Sequence, residues 1–260
     1  RSNEWYDHAS KEGGGPISFV QNYFGLSYPE AVTRLLDGEQ GRIYEPASRK
    51  KEEPKKEFIQ PPVGREMRRL YAYLLKKRLI DREVLSTFVR AGLVYEDEKY
   101  HNAVFVGTDE HGVSRHAQKR STNSQGKSFK LNVAGSDARY SFHHLGDDGD
   151  LYVFEAPIDL LSYITLHPEN WQQHSYVACC GTSYEPVRWI LTRMEAPQMV
   201  SLCLDHDNAG DQGCERMAKQ ISSEFGFPTR RLVPEQKDWN EDLCALREAP
   251  RRQRMEMEMR

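Results

Sequence analysis

The sequence predicts an α/β protein: a parallel sheet with flanking helices, preceded by a smaller α+β domain and a short helical N-terminal lobe. Three observations point there. From Leu151 onward, strand-like and helix-like stretches alternate, which requires parallel strands joined by helical crossovers. Between residues 103 and 120 the apolar period is two, broken by a turn at Asp109–Gly112. Before residue 37 the period is helical and short.

The elements follow in order. Residues 17–36 hold two short helices around a Gly25-Leu26-Ser27 break, and Ser27 with Glu30 forms a capping box before Ala31, Val32, Leu35 and Leu36. Residues 39–64 mix Pro, Lys and Glu with few apolar groups, the composition of an extended linker. A helical period returns through Met67, Leu70, Tyr71, Leu74 and Leu75, and a second helix follows over 79–93 with Asp81 near its cap and Gly92 near its end. The alternating part then runs LYVFEA strand, PIDLLSYITLH helix, SYVACCGT strand and EPVRWILTRM helix. It closes with MVSLCLDHD strand, AGDQGCERMAKQISSEFG helix and PTRRLV strand. This divides the chain at 1–38, 39–64, 65–149, 150–248 and a tail at 249–260.

Composition narrows the class. The chain has 260 residues, 38% hydrophobic and 10% aromatic, enough for packed cores. No apolar run reaches the roughly 20 residues of a membrane helix, so an integral membrane protein is excluded. The start, RSNEWYDH, is neither a signal peptide nor an initiating Met, so further sequence is expected upstream. Five cysteines (Cys179, Cys180, Cys203, Cys214, Cys244) form no CxxC pair, which argues against a disulfide scaffold or a closed zinc site and for a reducing cytoplasm. The net charge of −3 conceals an asymmetry. Residues 1–149 carry 24 basic against 21 acidic groups, whereas residues 150–250 carry 8 against 16. A basic front suits a polyanion, and an acidic back gathers carboxylates for another purpose.

Those carboxylates stand at strand ends. Glu155 closes LYVFE, Asp205 and Asp207 close SLCLDHD, and Asp238 follows the last strand. Ligands of open α/β sheets bind outside the carboxyl ends of the strands, so these acids are expected to converge. Clustered carboxylates repel unless a cation or proton intervenes. Mg2+, with Mn2+ as a substitute, suits hard oxygen ligands shared with phosphates.

The run VFEAPIDLLSYI, VACCGTS, LCLDHDNAGDQG and KDWNEDL resembles the TOPRIM domain of primases and topoisomerases over about residues 150–245. The resemblance implies a TOPRIM-like sheet with Glu155 as acid–base group or metal ligand and Asp205, Asp207 and Asp238 as metal ligands. It implies Asp159, Gly181 and Thr182 as supporting residues. A further primase acid falls on Asn240, a departure that lowers the expected metal affinity or ion number. GVSRHAQKR and FKLNVAGSD are similar to the basic stretches of bacterial replicative primases, so Arg120 and Lys130 are expected to face phosphates. Arg115, Lys119 and Lys127 extend the same stripe, which has no acid from 115 to 130, and Lys237 joins it from the KD motif. His116 reads as a surface histidine.

Residues 4–36 resemble the second half of the primase zinc-finger module, without its metal ligands; Asp7 and His8 do not replace them, so no zinc is expected. Such a remnant, a domain of unknown function and TOPRIM in this order is found on mobile elements. Of the tryptophans Trp5, Trp171, Trp189 and Trp239, the rhythm of Val187, Ile190 and Leu191 puts Trp189 in the core, and Trp239 within KDWN is the site-adjacent one. Cys179 and Cys180 read as packing residues, Asp211, Glu235 and Asp242 as surface acids or caps, and Asn208–Gly213 as a turn into a helix able to hold a phosphate.

The reading that results is Mg2+-dependent, primase-like nucleotidyl transfer on a single-stranded DNA template, in replication of a mobile element or phage, with a helicase or other replication protein as partner and no membrane. Phosphodiester cleavage by the same acids and a non-catalytic tethering module remain open on the sequence. A topoisomerase is disfavoured, because nothing marks Tyr140, Tyr152 or Tyr163 as a nucleophile.

Overall fold

The computed structural model describes residues 5–7, 12–36, 56–123, 128–194 and 197–258. Lys127 and residues 37–55, most of the expected linker, lie outside them. The chain divides into two units, residues 1–54 and 55–260.

The first unit has two short strands, β1 (Trp5–Asp7) and β2 (Glu12–Gly14), paired antiparallel, and two helices, α1 (Pro16–Phe24) and α2 (Tyr28–Leu36). Pro16 starts α1 where a missing N–H costs nothing, and Gly25 ends it at φ +64°. The Glu30 half of the capping box forms: its carboxylate accepts from the Ser27 backbone N–H at 2.8 Å, and from the Ser27 hydroxyl at 2.6 Å.

The second unit holds two sheets. Helix α3 (Arg68–Tyr71) runs into a π-helical turn over Ala72–Lys77, and α4 (Arg82–Arg90) begins at Asp81, whose carboxylate accepts from the N–H groups of Glu83 and Val84. Strands β3 (Val94–Glu96), β4 (Ala103–Thr108), β5 (Ser114–Arg120) and β6 (Lys130–Asn132) make an antiparallel sheet in chain order. The other sheet contains β7 (His143–His144), β8 (Asp150–Phe154), β9 (Ser175–Ala178), β10 (Met199–Leu202) and β11 (Thr229–Arg231). Its order is β11-β10-β8-β9-β7, all parallel except β7. The crossovers are α5 (Pro157–Leu166), α6 (Glu185–Leu191) and α7 (Asn208–Glu224), and α8 (Trp239–Glu258) follows the last strand. The α/β architecture with a parallel-containing sheet is the one the alternation predicts. Among the described residues no helix is long and apolar enough to cross a membrane.

Two features differ from expectation. Residues 56–64 are not a free linker: Gly64 N–H donates to Glu96 O at 2.8 Å, Val63 bridges Asp97, and the Tyr95 hydroxyl donates to Pro61 O at 2.6 Å. A strand edge left bare along β3 would expose unpaired backbone, and this segment covers it. The division at 149 is also crossed, because β7 belongs to the parallel sheet. One core is shared by both sheets. Phe88 of α4 stacks on Trp171 at 5.7 Å and meets Phe142 at 5.2 Å, and Phe142 in turn meets Phe105 of β4 at 5.6 Å.

Because that aromatic column joins the middle segment to the parallel sheet, Phe88→Ala is expected to cost about 3–5 kcal/mol. Urea unfolding followed by tryptophan fluorescence and by far-UV circular dichroism should show one transition shifted as a whole. Separate transitions for the two sheets would contradict the shared core.

Candidate functional site

The parallel strands deliver their last residues to one end of the sheet. Glu155 follows β8 and Asp205 follows the extension of β10. Asp238 precedes α8, and its Oδ1 accepts from Glu241 N–H at 2.7 Å. His206 N–H donates to Lys237 O at 2.7 Å and so ties the Asp205–Asp207 loop to the Lys237-Asp238 segment. Arg231 of β11 braces the same loop, donating to Leu204 O at 2.6 Å and Asp205 O at 2.9 Å. Gly210 is required here: a Cβ on it would lie 2.0 Å from Asp205 O. Its absence lets α7 start directly against the loop.

Glu155, Asp159, Asp205 and Asp238 line one cavity of about 200 Å³. Asp205 is half-buried, and its Oδ1 is buried without a hydrogen-bond partner. Burial, and then the charges of Glu155, Asp238 and Asp207, push its carboxyl up to about 7, opposed by Lys130. Asp159 is buried in the cavity wall, and burial followed by the charges of Asp238 and Asp205 raises it well above the usual carboxylate range, which favours its protonated form. An orphaned carboxylate oxygen among acids fits a divalent cation, since only a cation or a proton relieves both its desolvation and its repulsion. The acids stand wider than a closed cage. Among the described residues, the group whose ligand atoms all lie within 4.8 Å is Asp148, Asp150 and His174 at the opposite end of the sheet, where His174 Nδ1 is hydrogen-bonded to Asp148.

Asp207 takes another position. Its Oδ1 accepts from Gly210 N–H at 2.9 Å and caps α7, so the helix start expected to hold a phosphate is occupied by a carboxylate. It still acts on Asp205 through its charge. Gly181, at φ +141°, donates its N–H to Glu155 O at 3.1 Å, and a Cβ on Gly213 would meet the Thr182 methyl at 3.5 Å. Both residues of that turn therefore position neighbours and do not line the cavity.

The basic stripe is divided by the pleat of β5. Arg120 pairs with Lys130 across β5 and β6, and both line the cavity, where Lys130 Nζ stands 3.3 Å from Glu155 Oε1. Lys237 joins them. Residues of opposite parity go elsewhere. Lys119 pairs with buried Asp97 at 3.1 Å, and Arg115 with Asp109 at 2.8 Å. His116 is not a surface residue but 1% exposed; burial holds its imidazole neutral, with its pKa lowered to about 4.

Asn240 lines the same cavity, but its amide is engaged by the protein. Its Nδ2 donates to Arg78 O at 2.8 Å and Ser162 Oγ at 2.9 Å, and its Oδ1 accepts from Arg78 Nη1 at 3.0 Å. Trp239 is buried, donates to Cys203 O at 2.8 Å and meets Tyr163 edge-on, so it is a core residue rather than a stacking platform. Trp171 and Trp189 are buried, and Trp5 bonds Ser18 Oγ at 3.1 Å. Cys179 is buried as expected; Cys180 is half-buried, and burial pushes its thiol up to about 12. Asp211 pairs with Arg231 at 3.1 Å, and Asp242 accepts from the N–H groups of Glu235 and Gln236.

Sequence reasoning missed two polar residues of the cavity, Gln118 and Arg78. Gln118 was detectable, since it shares the parity of Arg120 on β5. Arg78 was not: it comes from the end of the π-helical turn, 162 residues from Asn240.

Comparison with known proteins agrees with this geometry. Residues 152–243 match the family described as Toprim-like, and residues 72–148 match a family described as protein of unknown function DUF3991. The uncharacterized protein pXO2-78 of Bacillus anthracis is 32% identical over 266 residues, covering 93% of this chain and 76% of that protein. The chain belongs to the same family as that protein and carries a Toprim-like domain. Among solved structures, the primase fragment of the bacteriophage T7 primase-helicase protein aligns with a TM-score of 0.51 and 20% identity. That alignment covers 68% of this chain and 70% of the phage fragment, and shows the shared fold. The zinc-binding and RNA polymerase domains of Aquifex aeolicus primase align more loosely, with a TM-score of 0.46 and 17% identity over 94% of this chain and 72% of that one.

The raised Asp205 carboxyl gives a signed pH dependence. Its folded pKa of about 7 exceeds the unfolded value near 4, so the native state binds the extra proton between them. Metal-free protein should lose stability as pH rises from about 4 to 7 and then level off, and Asp205→Asn should flatten that slope. Thermal melts in chelator across that range measure it; a wild-type profile unchanged by the substitution would contradict it.

Proposed function

We propose that this Toprim-like protein carries out divalent-metal-dependent nucleotidyl transfer on a DNA template, as a primase-like enzyme of a mobile element. The observation that carries the reading is the cavity itself: Asp205, with its orphaned oxygen, and Glu155 face Arg120, Lys130 and Lys237 across one small space. Anion-binding and cation-binding walls so close together suit a ligand that brings phosphates and metal at once.

In this reading Asp205 and Asp238 would hold Mg2+, with Asp207 contributing charge from the cap of α7 and Glu155 kept as the base. When bound, the metal neutralises phosphate charge and lowers the pKa of an attacking hydroxyl. Lys130 passes from Glu155 to a phosphate oxygen, since the two are exchangeable partners for one ammonium group. Glu155, so released, accepts the proton of the attacking 3′-hydroxyl as its oxygen bonds the α-phosphorus of the nucleoside triphosphate, the α–β phosphoanhydride bond breaks and pyrophosphate leaves. Arg120 and Lys237 orient the phosphates from the cavity rim, and Asp159, favoured in its protonated form, adds no further repulsion. Single-stranded DNA, nucleotides and a replication partner such as a helicase belong to the same proposal.

The test combines Mg2+ or Mn2+, single-stranded DNA and labelled nucleotides. Templated primers are expected from the wild type, and Asp205→Asn should lower their yield at least a hundredfold, the scale for losing a group that stabilises transition-state charge. Strand scission without synthesis would support a nuclease instead, and neither product with unaltered DNA binding would support a tethering module.

The pleat gives a second contrast. Arg120→Ala should reduce synthesis roughly tenfold or more, whereas Arg115→Ala should leave it within about twofold, as expected for a charge lining the cavity and for one paired with Asp109 outside it. Equal losses from both, measured in the same assay, would remove the distinction between the two faces of β5.

A further inference from the structure

At the amino end of the parallel sheet a second group of metal-ligating side chains meets. Asp150 opens β8 and Glu155 follows its end, so roughly 16 Å of extended strand separates this region from the cavity. Asp148, Asp150 and His174 each offer one ligand atom here, and these atoms all lie within 4.8 Å of one another. All three residues are half-buried. The N–H groups of Asp147 and Asp148 both donate to Gln173 O, at 2.8 and 3.1 Å, and a Cβ on Gly146 would lie 2.0 Å from that same oxygen. Asp148 Oδ1 accepts from Asp150 N–H at 3.0 Å, which leaves its other oxygen to His174 Nδ1.

The bond between His174 and Asp148 accounts for two of the three groups. Asp150 makes no side-chain hydrogen bond or ion pair among the described residues, and neither acid is paired with Lys or Arg there. Arg230, two strands away, donates its Nε to Ser201 Oγ at 2.8 Å. Two half-buried carboxylates this close repel, and a proton on the imidazole relieves Asp148 alone. Tyr176 gives an independent sign of a ligand. It is 1% exposed, and its hydroxyl has no hydrogen-bond partner among the described residues. Its ring meets the His174 ring at 6.2 Å, and burial, followed by the neighbouring Tyr152, Tyr163 and Asp148 groups, keeps that hydroxyl protonated. A water on a bound ion would supply the missing partner. Asp148 also lines a cavity of about 430 Å³ with Ser175, Arg193 and Gln198, which is a route of entry.

We infer that Asp148, Asp150 and His174 form a binding site for one divalent transition-metal ion, Zn2+ in preference to Mg2+, that fastens the start of β8 to the start of β9. An imidazole donor suits zinc, whereas Mg2+ selects oxygen ligands. Tetrahedral Zn2+ puts its donor atoms about 3.3 Å apart, a spacing that side-chain rotation reaches, and water takes the remaining position. No cysteine takes part, which is why cysteine spacing gives no sign of this site. It shares no residue with the cavity at the other end of the sheet, so it stands independently of the nucleotidyl-transfer reading.

Calorimetry on the full chain would titrate Zn2+ in excess Mg2+, added to occupy the acidic end of the sheet. Wild type and Asp205→Asn should each bind one Zn2+, and saturating Zn2+ should raise the melting temperature of both. Asp150→Asn and His174→Gln should each weaken Zn2+ binding about a hundredfold or more, above the scale for losing an outer partner, and abolish that rise. Asp150 has no side-chain bond to lose, so Asp150→Asn decides if His174→Gln fails to fold in chelator. Co2+ in place of Zn2+ should show the visible bands of a nitrogen–oxygen site. The inference is overturned by a wild type that binds no Zn2+, by unchanged Zn2+ affinity in folded Asp150→Asn, or by Zn2+ binding lost in Asp205→Asn. A thiolate charge-transfer band with Co2+ would place the ion on cysteines, and displacement of Zn2+ by an equal concentration of Mg2+ would make the cluster an unselective acidic patch; either result also overturns it.

Discussion

Carboxylates that the parallel strands bring to one end of the sheet must be accommodated at short range, and most of the local structure serves that need. Asp205 has an oxygen buried without a partner, and it feels the charges of Glu155, Asp238 and Asp207. The surroundings relieve the repulsion in separate ways. Asp207 and Asp238 each turn one oxygen to the start of a helix, α7 and α8. Glu155 pairs with Lys130, and Asp159 is buried so deeply that its neutral form is favoured. What remains unrelieved is Asp205, and a site with one unsatisfied anionic oxygen is prepared for a cation.

The opposing wall depends on the antiparallel sheet lying against this end. Phe88, Phe142 and Phe105 connect α4, the parallel sheet and β4 in one core, so the middle segment is not a separate bead on the chain. That packing sets β5 and β6 beside Glu155 and gives the pleat its meaning. Even-numbered Gln118 and Arg120 enter the cavity, while odd-numbered Arg115 and Lys119 pair with Asp109 and Asp97. A basic stripe along a strand is therefore two sets of residues with different partners.

Three successive residues at the start of α8 illustrate how finely the functions interleave. Asp238 faces the cavity and caps the helix, Trp239 enters the core and bonds Cys203 O, and Asn240 clamps Arg78 to Ser162. A helical turn rotates consecutive side chains by about 100°, so neighbours in a motif necessarily serve different surroundings. The neutral amide at 240 matches its partners, donating to Arg78 O and Ser162 Oγ and accepting from Arg78 Nη1.

Much of the fold was legible in the sequence because its signals are local. Alternation from Leu151, the capping box at Ser27 and Glu30, the Asp81 cap and the Asp109–Gly112 turn each depend on residues within a few positions of one another. Glu155 and Asp205 were legible for the same reason, since they follow β8 and β10, parallel strands that end together. The sequence alone did not reveal that residues 56–64 cover the edge of β3, that β7 joins the parallel sheet, or that His116 is buried. Nor could it show Arg78 beside Asn240, a contact between groups 162 residues apart. Those outcomes were decided by packing, because which face of a strand is buried and which distant side chain completes a hydrogen bond depend on elements that no local pattern encodes.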